Sequence, residues 1–494
     1  MKAAVAAMGA AVAAPGGGSG EEQGSLDDLD LISRLPDEVL GTVISLLHTK
    51  DGARTQLLSR RWRPLWRSPM APLNLVADQT LSNDGTRAAL VSRILSDRPG
   101  PARRFTLHLH FNPSVLAEVY RWFRSKSLTG LRDLEITNLL RQDHYPLPSR
   151  ALPRFAPTLT MLKLGGCAIP AIAVPPGFPH LKQLMMYDVR ISEVSLQSII
   201  SRCHVLESVS LHNMGFTRLC ITSPTLRSLG FYPPPRVGEG VATFQELVIE
   251  DAPRLERLLP ICPNDGPATV RVVRAPKLEI LGVLSQGISK LQLGSTVFQK
   301  MIAVRLTTKM RTVKILVIES IGGNLDAALD FLKCFPCLQK LYVTLHPGDD
   351  INNVVKYDPL HPLECLELHL KKVVLKNYTC YKNNNNGKMP FIDFANFFVL
   401  NAKVLKEMEI RARWICDKGM GCRCTQLQVE NRASQDAQIE LKIHTEEKNP
   451  NHGHTHDLSV TDPFENLYGC FKCVNACGVV FRSPTAKWFC RRHR

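Results

Sequence analysis

ISKLQL at residues 288–293, VKILVI at 313–318, LQKLYV at 338–343 and LECLEL at 363–368 share one frame, L-x-x-L-x-L, and follow one another at three successive steps of 25 residues. The closing x-L-x-L of each reads as a strand whose alternate side chains point to one face, and the first apolar residue covers the turn leading into it. One such unit cannot hide its apolar face. Stacked on its neighbours it buries a continuous core and aligns its strands in one parallel sheet, so the spacing predicts an α/β solenoid. Upstream the frame recurs at Leu131-Leu134-Ile136, Leu159-Leu162-Leu164, Leu181-Leu184-Met186, Leu206-Val209-Leu211, Leu226-Leu229-Phe231, Phe244-Leu247-Ile249 and Leu278-Leu281-Val283. The steps there are irregular: 28, 22, 25, 20, 18 and 34 residues.

Ahead of the repeats stands DLDLISRLPDEVLGTVISLLHTKDGARTQLLSRRWRPLW, Asp28 to Trp66. Val39, Leu40, Val43, Ile44 and Leu47 form one helical stripe. Pro36 loses no helical hydrogen bond in a first turn, and Asp37 and Glu38 face the positive end of the helix dipole, so a helix is predicted to start near Leu35. A second helix is expected after Asp51, with that side chain as cap and Ala53, Leu57 and Leu58 on its apolar face. Ser59 is the expected cap of a third, along which Trp62, Leu65 and Trp66 lie at i, i+3 and i+4, with Pro64 shortening or bending it. Three helices in about 39 residues bury little area alone, which points to a docking module that leans on a partner.

Leu35, Pro36, Asp37, Glu38, Leu40 and Ile44, with Asp51, Ala53, Arg54, Ser59, Arg60, Arg61, Trp62 and Trp66, closely resemble the plant F-box motif. The resemblance implies a Skp-type adaptor as partner, reached through Leu35, Pro36, Leu40, Ile44 and Trp62, and through it a cullin-RING ubiquitin ligase. The irregular repeats resemble the degenerate leucine-rich repeats of plant F-box proteins. LECLELHLKKVVLKNY (363–378), FIDFANFFVLNAKVLKEMEI (391–410) and QLQVENRASQDAQIEL (426–441) look like the FBD segment that follows such repeats. In the second, Phe391, Phe394, Phe397, Phe398 and Leu400 with Val404 and Leu405 suggest a buried helix and Leu405-Met408-Ile410 a closing strand.

The expected organisation is an Ala/Gly-rich disordered leader over 1–27, the F-box over 28–68, and a linker with first strand and helix elements over 69–130. Irregular repeats over 131–362, an FBD-like α/β segment closing the solenoid over 363–445, and a basic Cys/His-containing tail over 446–494 complete it. The F-box is expected to stand outside the repeat stack. In the linker, Phe105 to Phe111 alternates as a strand and Val115 to Ser125 reads as a helix.

At 494 residues, with hydrophobic residues at 44%, the chain exceeds one ordinary core. No run of about 18 apolar residues is present, so no membrane span is predicted. The 15 cysteines are odd in number and scattered, which fits reduced thiols in cytoplasm or nucleus rather than a disulfide scaffold. Net charge is +16, but Lys472, Arg482, Lys487, Arg491, Arg492 and Arg494 put +6 of it between Cys470 and Arg494, a stretch without acids. A phosphate-binding loop, a G-x-S-x-G elbow and an H-E-x-x-H pair are all missing, so no catalytic residue or cofactor is assigned. Cys334 and Cys337 read as core cysteines. In the tail Cys470, Cys473, Cys490 and His493 offer C-x-x-C plus two further donors, half of a zinc signal, with a disordered tail of free thiols as the other reading.

Together these readings predict a non-catalytic substrate receptor of an SCF-type ligase, its repeats holding a protein target. The alternative is a basic nucleic-acid- or zinc-binding regulator acting through the tail.

Overall fold

The computed structural model describes residues 31–32, 34–68, 71–98, 101–110, 113–138, 144–171, 177–232, 244–260, 267–285, 287–319, 325–344, 357, 360–378, 390–412, 427–443, 455–467 and 479–480. Helices α1 (Asp37–Leu46), α2 (Thr49–Arg54) and α3 (Trp62–Arg67) come first. Then follow β1 (Leu73–Ala77), α4 (Asp84–Asp97), β2 (Ala102–Leu109), α5 (Pro113–Trp122), β3 (Asp133–Asn138), β4 (Tyr145–Pro146), α6 (Ala151–Phe155), β5 (Met161–Gly165), β6 (Cys167–Ala168), β7 (Gln183–Tyr187), α7 (Glu193–Arg202) and β8 (Ser208–His212). The middle is all strand among the described residues: β9 (Arg218–Thr222), β10 (Ser228–Tyr232), β11 (Glu246–Asp251), β12 (Arg257–Pro260), β13 (Thr269–Val272), β14 (Ile280–Leu284), β15 (Lys290–Leu293), β16 (Thr296–Gln299), β17 (Ile302–Arg305) and β18 (Ile315–Glu319). Helices return with α8 (Leu325–Cys334), β19 (Lys340–Thr344), α9 (Glu364–Leu368), β20 (Lys372–Tyr378), α10 (Pro390–Asn401), β21 (Glu407–Ala412), β22 (Gln438–Ile443), α11 (Pro463–Leu467) and β23 (Val479–Val480).

One 15-stranded sheet runs β1-β2-β3-β5-β7-β8-β10-β12-β14-β18-β19-β20-β21-β22-β23 and is parallel up to β22. Its register is set by one apolar ladder. Phe105, Leu134, Leu162, Leu184 and Val209 stand opposite one another on successive strands. Leu229, Leu258, Leu281, Leu316, Leu341, Val373, Met408 and Ile439 continue it. All are buried in one cluster that also takes in the inner faces of the helices. Because side chains alternate along a strand, a slip of one residue would turn this ladder to the other face, so the core pins the opposite face as firmly as its own. This is a solenoid-like α/β architecture with a mostly parallel sheet.

Three of the quoted frames lie elsewhere than their spacing predicts, two of them in a second sheet. Leu291 and Leu293 sit on β15 and Leu247 and Ile249 on β11, in a second sheet of order β17-β16-β15-β13-β11-β9. In this region the second sheet takes the place that helices occupy at either end. Hence 288 to 313 joins strands of different sheets, and only 313 to 338 is a step between neighbours, β18 and β19. LECLEL at 363–368 is mostly helix α9, and the next strand of the main sheet is β20, framed by Leu370, Val373 and Leu375.

The N-terminal helices are not separate from the stack. Thr49 Oγ1 donates to Asn74 O at 2.9 Å and accepts from Val76 N at 2.7 Å, and Asn74 Nδ2 donates to Ser45 O. The helices therefore cap the free edge at β1, which an exposed strand would leave open to other chains.

Candidate functional site

The helix ends of the N-terminal module differ in detail from expectation. Pro36 is the N-cap residue of α1, α2 begins at Thr49 with Asp51 already inside its first turn, and α3 begins at Trp62, so Pro64 sits early enough to cost no bond. Arg61 binds α3 to the start of α1, donating to Asp37 Oδ1 at 2.8 Å and to Leu35 O at 2.5 Å. Gly52 makes close packing possible: a Cβ there would lie 2.7 Å from the Trp66 ring. Across that ring the Arg98 guanidinium stands 4.4 Å from the centroid, buried, and burial lowers its pKa to about 10.

The residues expected at the adaptor surface divide. Leu40, Ile44 and Trp62 are only 0, 2 and 6% exposed, so they are core of the module rather than surface, because the α1 stripe and the α3 aromatics face one another and β1. Leu35 is half-buried and Pro36 exposed. Leu57 and Leu58, expected on a core face, are instead 84% and 65% exposed, since a 3-10 turn over Thr55–Leu57 ends α2 and carries them outward. With Leu31, Ile32 and Leu46 they make five exposed large apolar side chains between 31 and 58, out of thirteen among the described residues. Sequence periodicity missed them because their spacing matches a helix that stops short.

A second site lies on the sheet face opposite the main core. Residues 455–467, from the tail expected beyond the fold, lie across it. Thr455 packs on Gly230, where a Cβ would come within 2.4 Å of its Oγ1. His456 Nδ1 is 2.7 Å from Ser208 Oγ, and burial, reinforced by Lys163, lowers the His456 pKa to about 4. The buried Arg257 guanidinium donates to Asp457 O and Leu458 O at 3.0 Å each and to Val460 O at 2.7 Å. Asp462, also buried, accepts from Lys340 Nζ at 2.7 Å and Tyr342 OH at 2.8 Å and caps α11 by accepting from Phe464 N at 3.0 Å. Phe464 sits in an apolar cluster with Leu259, Ile280, Val283, Ile315, Val317, Tyr342 and Val374. Burial and the neighbouring Asp462 push the Tyr342 phenol well above its usual pKa.

Ionic clusters flank this region on the same face. Burial opposes ionisation of Glu135, yet His108 at 3.1 Å and Lys163 at 2.5 Å hold its pKa at about 2. At Glu409 burial is likewise outweighed, by Arg411 at 2.5 Å and Lys442 at 3.0 Å, and the carboxylate stays well below its usual range. These are structural ion pairs, with no nucleophile set beside a base in either cluster.

The thiols of Cys167, Cys334 and Cys365 are buried and pushed up by burial to about 12, 11 and 12, so they are inert core groups. Cys337 with Glu364 and His369 is the one cluster of three metal-type ligands among the described residues. Its carboxylate is already engaged by Arg311 at 2.7 and 3.2 Å, and zinc needs four donors. Cys470, Cys473, Cys490 and His493 lie outside the described residues, as does the 1–27 leader. No helix among the described residues is long and apolar enough to cross a membrane.

Comparison with known families places names on three of these regions. An F-box domain profile matches residues 32–71, a profile described as FBD-associated F-box protein At5g56370, LRR repeats, matches 119–343, and an FBD profile matches 358–410. Among similar Arabidopsis thaliana proteins, putative FBD-associated F-box protein At5g50270 is 32% identical over 240 residues, covering 47% of this chain and 57% of the relative. FBD-associated F-box protein At5g60610 is 33% identical over 219 residues, covering 42% and 53%. F-box/FBD/LRR-repeat protein At1g13570 is 26% identical over 234 residues, covering 46% and 52%. The chain thus spans about half the length of the curated relatives it matches. The three profiles follow the order of the helical module, the sheet and its C-terminal extension, so the chain carries an F-box, leucine-rich repeats and an FBD segment and is similar to the FBD-associated F-box proteins of Arabidopsis thaliana.

Proposed function

We propose that the chain is a non-catalytic substrate receptor of an SCF-type ubiquitin ligase in the cytoplasm or nucleus. Its helical module would bind a Skp-type adaptor while its sheet holds a protein target. Catalysis would be by proximity: both ends held on one rigid sheet keep target lysines at high effective concentration near the ubiquitin-loaded enzyme. The observation that carries this reading is the run of exposed apolar side chains from Leu31 to Leu58, on a module whose own apolar stripe is already spent on its core. Adaptor contact then falls to Pro36, Leu57 and Leu58 and their exposed neighbours, with Leu35, Leu40, Ile44 and Trp62 holding the shape beneath. The nucleic-acid alternative rests on the cationic tail, most of which lies outside the described residues.

Affinity capture with the full chain as bait, under proteasome inhibition, tests it. The wild-type bait is expected to enrich a Skp-type adaptor and a cullin, and a bait carrying Leu57→Asp with Leu58→Asp to lose both while still enriching the target. A wild-type bait that enriches no such adaptor refutes the reading.

A further inference from the structure

Residues 455–467 are held on the sheet by side chains, not by the sheet's own ladder. The segment forms no strand, and its backbone bonds run inward, from Leu458 N to His456 O, Val460 N to Asp457 O and Glu465 N to Asp462 O. It carries three acids, Asp457, Asp462 and Glu465, and no Lys or Arg. The face below answers with Arg257, Lys340 and Lys372, the last 3.4 Å from Glu465. Removing the segment would bare Arg257 and Lys340, and leave Lys372 to Glu407 at 3.0 Å, beside a patch of Ile280, Ile315, Val317 and Val374, side chains that the core ladder holds outward whatever covers them.

Two kinds of recognition are combined here. Arg257 reads three backbone carbonyls, of Asp457, Leu458 and Val460, and so tolerates many sequences. Asp462 and Phe464 are read individually: the carboxylate by an ammonium and a phenol, the ring by an apolar cluster with the Tyr342 ring centroid 6.3 Å away. Small side chains make the room, because Ser208, Ser228 and Gly230 occupy face positions where larger residues would lift the segment off.

We propose that this face is the target-docking surface, that it takes an acidic peptide whose Asp-x-Phe-Glu pattern caps and opens a short helix, and that residues 455–467 are a built-in occupant which such a target displaces. The segment is therefore an autoinhibitory stand-in for the target. Its tether gives it an effective concentration that a free peptide must overcome, so targets with several contacts are favoured over short fragments. The role of the face rests on the receptor reading above. Adaptor capture tests that reading alone and the measurements below test the face alone, so the two fail separately.

Two measurements on the full chain decide it. In the wild type, hydrogen exchange of amides 458–467 is expected to be at least ~100-fold faster than that of Leu341 and Val373, because the segment opens without the sheet. Exchange together with those strands overturns the proposal, the segment then being a fixed part of the fold. The second measurement titrates a fluorescent peptide, THDLSVTDPFENL, against the wild type and against Asp462→Asn with Phe464→Ala, whose own segment is weakened. Binding is expected to be on the order of 100-fold tighter to the double variant and to be lost when Lys340→Glu is added. Equal binding to wild type and double variant, or indifference to Lys340→Glu, overturns the proposal. Should the double variant fail to fold, the wild-type exchange result decides by itself.

Discussion

Replacing Leu40 with Ala separates core from contact in the helical module. Leu40 is fully buried, packed in the cluster that contains Ile44, Trp62, Leu65 and Trp66. Losing its side chain forfeits the transfer energy of three carbons and leaves a cavity that three short helices close only in part. Leu→Ala at such positions costs about 3 kcal/mol. In native-state hydrogen exchange that corresponds to roughly a 100-fold loss of protection at Ile44, in the last turn of α1, while amides of β19 are unchanged because repeats contact chiefly their neighbours. Adaptor affinity, measured by titration on the same sample, is expected to fall less than about 10-fold so long as the module stays mostly folded. The exposed control Leu57→Ala should behave oppositely, with protection unchanged and affinity reduced about 30-fold, the cost of truncating an interface anchor worth ~2 kcal/mol. Undiminished protection at Ile44 in Leu40→Ala, with adaptor binding lost, would refute the assignment of Leu40 to the core.

Three further outcomes are expected. His456 is neutral when docked, with its pKa lowered to about 4, and takes a proton near 6.5 once detached, so docking of 455–467 is full above pH 6.5 and weakens as pH falls toward 4. At pH 5 the loss is on the order of 2 kcal/mol, read as faster proteolysis of the segment, and His456→Ala should flatten that pH dependence. Gly230→Val places its Cβ against Thr455 on the segment while suiting a strand, so it should release 455–467 without lowering the melting temperature of the sheet; a retained segment would contradict the packing described. Purified full chain is expected to hold less than one equivalent of zinc by elemental analysis, and a full equivalent lost on Cys470→Ser would overturn this.

The x-L-x-L strands were legible in the sequence because their ladder is one apolar period repeated on every strand, and local period survives without knowledge of partners. Phe105–Leu109, Leu405–Ile410 and the helix from Pro390 are further cases of a buried pattern stated locally. What the frame could not say is which sheet a strand joins. Ile288-Leu291-Leu293 and Val313-Leu316-Ile318 obey the same rule, yet one faces the core from each side. LECLEL failed for a different reason: apolar residues at i, i+2 and i+3 satisfy a short helix as well as a strand, and Leu370 onward supplied a better strand. At the helical module the motif residues were legible as a set, but period alone does not tell a residue that faces its own core from one that faces a partner. The docking of 455–467 had no local signal. Its anchors Ser208, Arg257 and Lys340 stand 248, about 200 and 122 positions away, and a polar segment with one Phe reads as tail.

The receptor reading stands or falls on adaptor binding by the full chain. Titration of a Skp-type adaptor against the wild type and against Leu57→Asp with Leu58→Asp, with hydrogen exchange at Ile44 followed on both, is the most direct measurement. The account predicts one adaptor bound per wild-type chain, and affinity at least 100-fold weaker in the variant with protection at Ile44 unchanged. Equal affinity in a variant that keeps that protection, or no binding by the wild type, would contradict it.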